Sequence, residues 1–298
     1  MVRLARRPGP RQIRSGIVGF TTRFAPSPTG QLHLGHAFSA LLAFDMAQEA
    51  QGRFLLRIED TDTARCTPAF EAQIYEDLTW LGLTWETPVL RQSDNTSAYE
   101  TALTQLGDMG LLYPCSCTRG DIRRAMSAPQ EGAPMHGPDG LIYPGTCRHR
   151  VWGDRTDTDA VRLNMKKAID SLTTLPLYTD TGLHPAIRLT RDHFVNAVGD
   201  VVLARRDTKT ASYHLSVVVD DGAQGITHVI RGEDLATATA IHVLLQTLLG
   251  LPIPMYHHHR LIRDDHGKRL AKRDDARAIA HYRSEGATPR DIRRMVGL

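Results

Sequence analysis

A loop punctuated by proline and glycine, Ala25-Pro26-Ser27-Pro28-Thr29-Gly30, runs into His33-Leu34-Gly35-His36 at the start of an apolar helical stretch. This junction constrains the fold more than any other feature. Before it, Gly19 to Phe24 is short and partly β-prone. After it, the spacing predicts a helix from about His36 to Gln51, with Gly52 where a C-terminal cap belongs. Arg53 to Glu59 reads as the next strand. A second helix has Thr67 as N-cap and Pro68 at its first position. Phe70, Ile74, Leu78 and Leu81 keep helical spacing there, and Gly82 ends it. Strand, loop, helix, strand, helix is the rhythm of a parallel α/β sheet.

The rhythm breaks from Tyr113 to about Arg150, a segment rich in Pro, Gly and Cys that reads as an insertion. It returns near Tyr213. Leu215 to Val219, ending in Asp220-Asp221, suits a buried parallel strand. Val229-Ile230-Arg231-Gly232 suits another, followed by a helix from roughly Ala236 to Leu249. A hairpin is expected at Arg260 to Arg263, with its turn at Asp264-Asp265-His266-Gly267 and its return from Lys268. The expected divisions are a disordered basic extension over 1–20, catalytic halves over 21–112 and 191–250, an insertion over 113–190 and a C-terminal segment over 251–298.

The chain has 298 residues, enough for one large or two modest domains with a hydrophobic core. Its longest strongly apolar stretches, such as Ala37 to Phe44, are too short to span a bilayer. No apolar segment follows the first arginines as a secretory signal requires. Four cysteines in a chain this long make no disulfide framework, which favours a reducing cytoplasm and metal binding for grouped thiols. The net charge is +3, but residues 260–298 hold eleven Lys or Arg against six acids. That basic stretch either faces phosphates or is a solvated surface.

Ligands of open α/β sheets bind at strand carboxyl ends beside helix N-termini, whose N–H groups favour phosphate. His33 and His36 stand there, able to donate to the phosphates of ATP as charge builds, and Gly35 lets a nucleotide approach the backbone. Taken alone, the spacing also fits two metal ligands one turn apart or surface histidines. Lys268-Arg269-Leu270-Ala271-Lys272-Arg273 is a basic loop that can clamp a triphosphate and stabilise leaving pyrophosphate. Cys115-Ser116-Cys117 and Cys147 group three thiols, which zinc would close in an insertion with few apolar residues. His136 and His149 are the chemically usual choices for a fourth ligand. Cys66 lies apart, as a simple thiol.

Together, the His33–His36 and Lys272 motifs resemble the paired signatures of class I aminoacyl-tRNA synthetases, in the right order at opposite ends of an α/β core. Arg23-Phe24-Ala25-Pro26-Ser27-Pro28-Thr29-Gly30, Arg57-Ile58-Glu59-Asp60-Thr61-Asp62 and Val229-Ile230-Arg231-Gly232-Glu233-Asp234 narrow the resemblance to glutamyl-tRNA synthetases, over roughly residues 21–275. It implies a Rossmann-type parallel-sheet catalytic core with a zinc-containing insertion. Arg269 and Ala271 depart from the family's lysine motif, whereas Lys272 matches its second lysine.

The resemblance places His33, His36 and Lys272 in catalysis and, with Gly35, in ATP binding, together with Mg2+. It sets Arg23 and Arg231 around the side-chain carboxylate of glutamate, with Tyr213 donating a hydrogen bond. Glu59 receives the ammonium group, and Phe24, Ala25, Pro26 and Ser27 complete the pocket wall. Arginine suits this task because its planar fork grips a carboxylate through two bonds. Without the motifs, Glu59 and Arg231 read as an ordinary ion pair at strand ends. The family's similar metal site takes a tyrosine phenolate, at Tyr143, beside Cys115, Cys117 and Cys147, giving one structural zinc. His257-His258-His259 reads as structural or nucleotide-adjacent rather than as a metal tract.

The chain stops some 25 residues after Lys272. Ordinary glutamyl-tRNA synthetases continue into helical domains that read the anticodon. A core alone resembles the glutamyl-Q tRNA(Asp) synthetases, which attach glutamate to queuosine in the anticodon loop of tRNA(Asp). The expected partners are therefore that tRNA, L-glutamate and ATP, with no membrane and a monomeric state. A truncated synthetase charging a tRNA 3′ end, a nucleotidylyltransferase and a non-catalytic tRNA-binding paralogue are the alternatives. Intact His33, His36 and Lys272 argue against the last.

Overall fold

The computed structural model describes residues 19–126, 136–263 and 277–298. The N-terminal extension up to residue 18, the hairpin turn and Lys272 lie outside the described residues. Strand β1 (Thr21–Phe24) leads through the Pro/Gly loop to α1 (Leu34–Glu49), β2 (Arg53–Ile58), α2 (Pro68–Trp80) and β3 (Leu90–Arg91). The three strands form a parallel sheet in the order β1-β2-β3, with Arg23 opposite Leu55. Thr67 caps α2 as its spacing predicts, its side chain accepting from Phe70 N at 3.2 Å. Gly52 has a different role from the expected cap. Gln51 takes the left-handed conformation (φ 50°). A Cβ on Gly52 would meet Phe20 O at 2.2 Å, so Gly52 permits close approach to the strand beside it.

Next come α3 (Thr96–Asp108), β4 (Leu112–Cys115), α4 (Arg119–Met126), the small pair β5 (His136–Gly137) and β6 (Gly140–Leu141), and β7 (Ala160–Leu163). They continue into α5 (Met165–Asp170), β8 (Leu177–Asp180), β9 (His184–Arg188) and β10 (Val202–Ala204). Strands β10, β7 and β4 pair antiparallel. This segment is not short of apolar packing. Val161, Leu163, Met165 and Ile169 are buried in the same core as α3 and the two helices that follow. The thiols stand in a smaller cluster with Tyr113, Tyr143 and Ala160.

Leu215–Val219 is not a strand. It lies in α6 (Tyr213–Ala223). The misreading has a physical cause: Leu215, Val217, Val218, Asp220 and Asp221 are all buried, so no polar face marks a helical period. After α6 come β11 (His228–Gly232), α7 (Thr239–Leu249), β12 (Met255–His259), α8 (Ile279–Ser284) and α9 (Pro289–Val296). Strand β12 runs parallel to β11 and β8, and β9 closes this four-stranded sheet antiparallel. Leu261 and Ile262 are outside any strand and Arg263 forms a β-bridge, while the turn and return of the expected hairpin lie outside the described residues. Thr227 N–H donates to Thr21 O over 2.9 Å, which brings the start of β11 beside β1. The carboxyl ends of β1, β2 and β11 thus meet the N-terminus of α1 at one cleft.

Candidate active site

The cleft holds about 480 Å³. It gathers Arg23, Phe24, Ala25, Ser27, His33, Gly35, His36, Glu59, Tyr213 and Arg231. Pro26 is buried behind the wall, where its carbonyl accepts from Glu59 N at 3.1 Å and ties the loop to the end of β2.

At the N-terminus of α1 the two histidines form a reciprocal cap. His33 Nδ1 accepts from Gly35 N and His36 Nδ1 accepts from His33 N, each at 3.1 Å. The ring centroids are 3.8 Å apart. Because both Nδ1 atoms accept, each neutral ring carries its proton on Nε2, which is a donor. A Cβ on Gly35 would meet the His33 ring at 3.0 Å, so the glycine is also needed for the cap itself. The geometry satisfies backbone N–H groups that a helix start leaves open, and it keeps two N–H donors in the cleft without requiring charge.

The arginines are held by acids and histidines that sequence reasoning did not assign to the site. Arg23 donates through Nε and Nη2 to the two oxygens of Asp221, at 2.9 and 3.3 Å. Arg57, with no exposed surface, also bonds Asp221, and reaches Gln224 Oε1 at 2.9 Å through Nε. Burial pushes the Asp221 carboxyl up, but Arg23 and Arg57 bring it below the usual range. Asp220, one residue earlier, accepts from Gln92, Asn95 and Tyr99. Two acids inside an apolar run were the available signal, since carboxylates are rarely buried without partners.

Arg231 is not paired with Glu59. Its Nε donates to His258 Nε2 at 3.0 Å, its Nη1 to His242 Nδ1 at 3.0 Å and to Tyr213 Oη at 3.4 Å, and its Nη2 to Thr239 Oγ1 at 2.6 Å. His258 is fixed in turn by buried Asp180. Burial, with Arg231 alongside, drives His242 well below its ordinary value, so it accepts as a neutral ring. Glu59 is raised to about 7: burial pushes it up, opposed by Arg57 and Arg23 and assisted by Asp221 and Asp220. An incoming ammonium group would restore its charge.

His259 lines the same cleft, with Nε2 at 2.7 Å from Ser39 Oγ on α1 and its ring edge on Phe38. His257 bonds Thr181 Oγ1 at 2.9 Å. The histidine tract is therefore built into hydrogen bonds along a strand.

The Sγ atoms of Cys115, Cys117 and Cys147 lie within 4.8 Å of one another, and all are free thiols. Tyr143 Oη is 3.3 Å from both Cys115 and Cys117 Sγ, and accepts from Cys147 N at 2.9 Å. Gly145 turns the chain between Tyr143 and Cys147 at φ 88°. Arg162 sits over the Tyr143 ring at 3.9 Å. Burial opposes ionisation of Cys147, but hydrogen bonds from Tyr143 and Ser116 bring it down to about 6. His136 and His149 are not among the grouped donors of the described residues. A tetrahedral zinc with Zn–S near 2.3 Å sets sulfurs about 3.8 Å apart. Cys117 and Cys147, at 3.5 Å, already approach that spacing. Cys66 stands elsewhere, with Sγ 3.9 Å from Glu59 O.

The family described as tRNA synthetases class I (E and Q), catalytic domain, matches residues 19–298. A glutamyl-Q tRNA(Asp) synthetase of Rhodobacter capsulatus is 60% identical over 284 residues, covering 93% of this chain and 99% of its own. One from Nocardia farcinica is 40% identical, covering 94% and 84%. A solved glutamate tRNA ligase of Elizabethkingia meningosepticum, in complex with its amino acid, aligns with a TM-score of 0.74 at 27% identity over 94% of this chain. The chain spans 60% of the length of that ligase. By its matching catalytic domain and its near full-length likeness to these relatives, the chain belongs to the class I tRNA synthetases (E and Q), within the glutamyl-Q tRNA(Asp) synthetases.

Proposed function

We propose that this enzyme activates L-glutamate with ATP and transfers it to queuosine in the anticodon loop of tRNA(Asp). The observation that carries the reading is one cleft joining the histidine-capped start of α1 to Arg23, Glu59, Tyr213 and Arg231. The α-carboxylate of glutamate attacks the α-phosphorus of ATP, and pyrophosphate leaves. His33 and His36, through Nε2–H, stabilise charge that grows on the phosphates. Lys272, outside the described residues, supplies a further cation. Arg231 and Arg23 hold the side-chain carboxylate, Tyr213 donates to it, and Glu59 receives the ammonium. A hydroxyl of the acceptor's cis-diol then attacks the adenylate carbonyl, and AMP departs. The first step needs no tRNA, because the groups assigned to it belong to this chain.

Zinc fits the group Cys115, Cys117, Tyr143 and Cys147, which would hold one ion as a structural clasp. ATP enters with Mg2+, and we assign the protein a monomeric state.

The test incubates enzyme, ATP and labelled glutamate with two pools of tRNA, one from cells that make queuosine and one from cells that do not. Nuclease mapping then locates the label. Label on the anticodon fragment of tRNA(Asp), only in the queuosine-containing pool, is expected. Equal labelling of both pools, or label on the 3′ fragment, would overturn the acceptor assignment in favour of 3′-end charging.

A further inference from the structure

Tyr213 is shared with a second cleft, of about 870 Å³. Five arginines line this cleft, and Asp139 and His214 also face it. From Asp139 a line of hydrogen-bonding groups runs to the glutamate pocket. His214 Nε2 lies 3.4 Å from Asp139 Oδ1, His214 Nδ1 is 3.1 Å from His242 Nε2, and His242 Nδ1 accepts from Arg231 Nη1 at 3.0 Å. His214, His242 and Arg231 are buried, whereas the Asp139 side chain keeps 33% of its surface in the cleft.

The polarity of this line is fixed from one end. A guanidinium only donates, so His242 Nδ1 must accept and its Nε2 must carry the proton. His214 Nδ1 must then accept, which leaves its Nε2–H directed at Asp139. Asp139, whose Oδ1 lies 3.4 Å away while its Oδ2 accepts from Val202 N at 3.1 Å, is the acceptor that this N–H faces. Without it, His214 is free to take the other tautomer. Its Nδ1–H would then meet His242 Nε2–H, donor against donor, beside the arginine that holds glutamate.

We infer that Asp139 is a positioning residue for glutamate: through His214 and His242 it sets the Nη1 edge of Arg231, and so links the arginine-lined cleft to the grip on the amino acid. This rests on the assignment of Arg231 to the glutamate side chain. A hydroxyl or cationic group that engages Asp139 in the cleft competes with His214 for the carboxylate. Occupancy of the second cleft is thereby felt at the first.

The test measures pyrophosphate exchange without tRNA, separating the KM for glutamate from that for ATP, in wild type, D139A, D139N, H214A and the double variant D139A/H214A. D139A is expected to raise the glutamate KM at least about fivefold. The ATP KM is expected to stay within about twofold. D139N retains an acceptor oxygen and recovers most of the loss. The double variant behaves as H214A does, because the two act through one line. A wild-type glutamate KM in either folded D139A or H214A overturns the inference. So does a parallel rise in both Michaelis constants, which marks general damage. If D139A does not fold, H214A and D139N decide between these outcomes. Wild-type protein without glutamate-dependent exchange overturns the assignment of Arg231, and this inference with it.

Discussion

Arg23 Nε donates to Asp221 Oδ1 over 2.9 Å, between side chains only 5% and 6% exposed. Arg57 reaches the same carboxylate and has Asp220 Oδ2 at 4.0 Å as well, so Asp221 is the acid that the two buried guanidiniums share behind the cleft. Asp221→Ala leaves both cations without that partner. Breaking a buried pair from one side costs about 3–5 kcal/mol. Urea unfolding of the variant is expected to show a loss of that size, and a stability equal to wild type would show that Asp221 does not hold the arginines.

Glu59 titrates near 7 in the folded chain against an ordinary 4.5. A raised carboxyl contributes stability that is full below the unfolded value and is lost as pH rises through the folded one. Glu59→Gln should therefore exceed wild type in stability above pH 7, by on the order of 1–2 kcal/mol, with the gain vanishing towards acid. Glutamate needs the ionised form, so its wild-type KM should rise as pH falls below about 7, and E59Q should bind glutamate poorly throughout. Thermal melts and exchange kinetics across this range check both signs. A variant that neither gains stability nor loses affinity removes Glu59 from the pocket.

Arg231→Ala takes the cation from a pocket whose other partners, His242 and His258, remain buried. A carboxylate left without its charged partner costs about 2–5 kcal/mol. The loss should fall on the glutamate KM. Lys272→Ala should instead lower kcat, as for a contact strongest in the transition state. Steady-state exchange separates the two, and a wild-type KM for glutamate in R231A would remove that arginine from the site.

Metal analysis of protein purified without a histidine tag should find one zinc per chain, and chelation should lower the melting temperature. Tyr143→Phe removes the oxygen that lies 3.3 Å from two of the thiols. It should weaken zinc retention in competition with a chromogenic chelator. Full retention would assign the fourth position elsewhere, and active protein free of zinc would eliminate the site.

Much of the cleft was legible because its residues are punctuated locally. The Pro/Gly loop, the placing of His33 and His36 at a helix start and the Thr67 cap depend on neighbours within a few positions, and each took the expected place, whereas the reciprocal cap that the two histidines form was not foreseen. The supports of the arginines were not legible, since they come from far along the chain: Asp221 is 198 residues from Arg23 and Asp180 is 78 from His258. Helix α6 was misread because burial on all sides erases the period that separates helix from strand. The thiols were found by spacing, yet the apolar packing that carries β7 and α5 was underestimated. Its partners, such as Leu215 and Leu244, lie well outside that segment.

Strand β12 gives its consecutive histidines opposite tasks. Because neighbouring side chains of a strand point to opposite faces, His258 supports Arg231, while His259 reaches Ser39 on α1. A deletion of one residue within this strand would exchange those faces rather than loosen them. The spacing between Arg231 and helix α1 is thus tied to a single peptide step, and under the proposed function a length change there would disconnect adenylate formation even with every functional side chain still present.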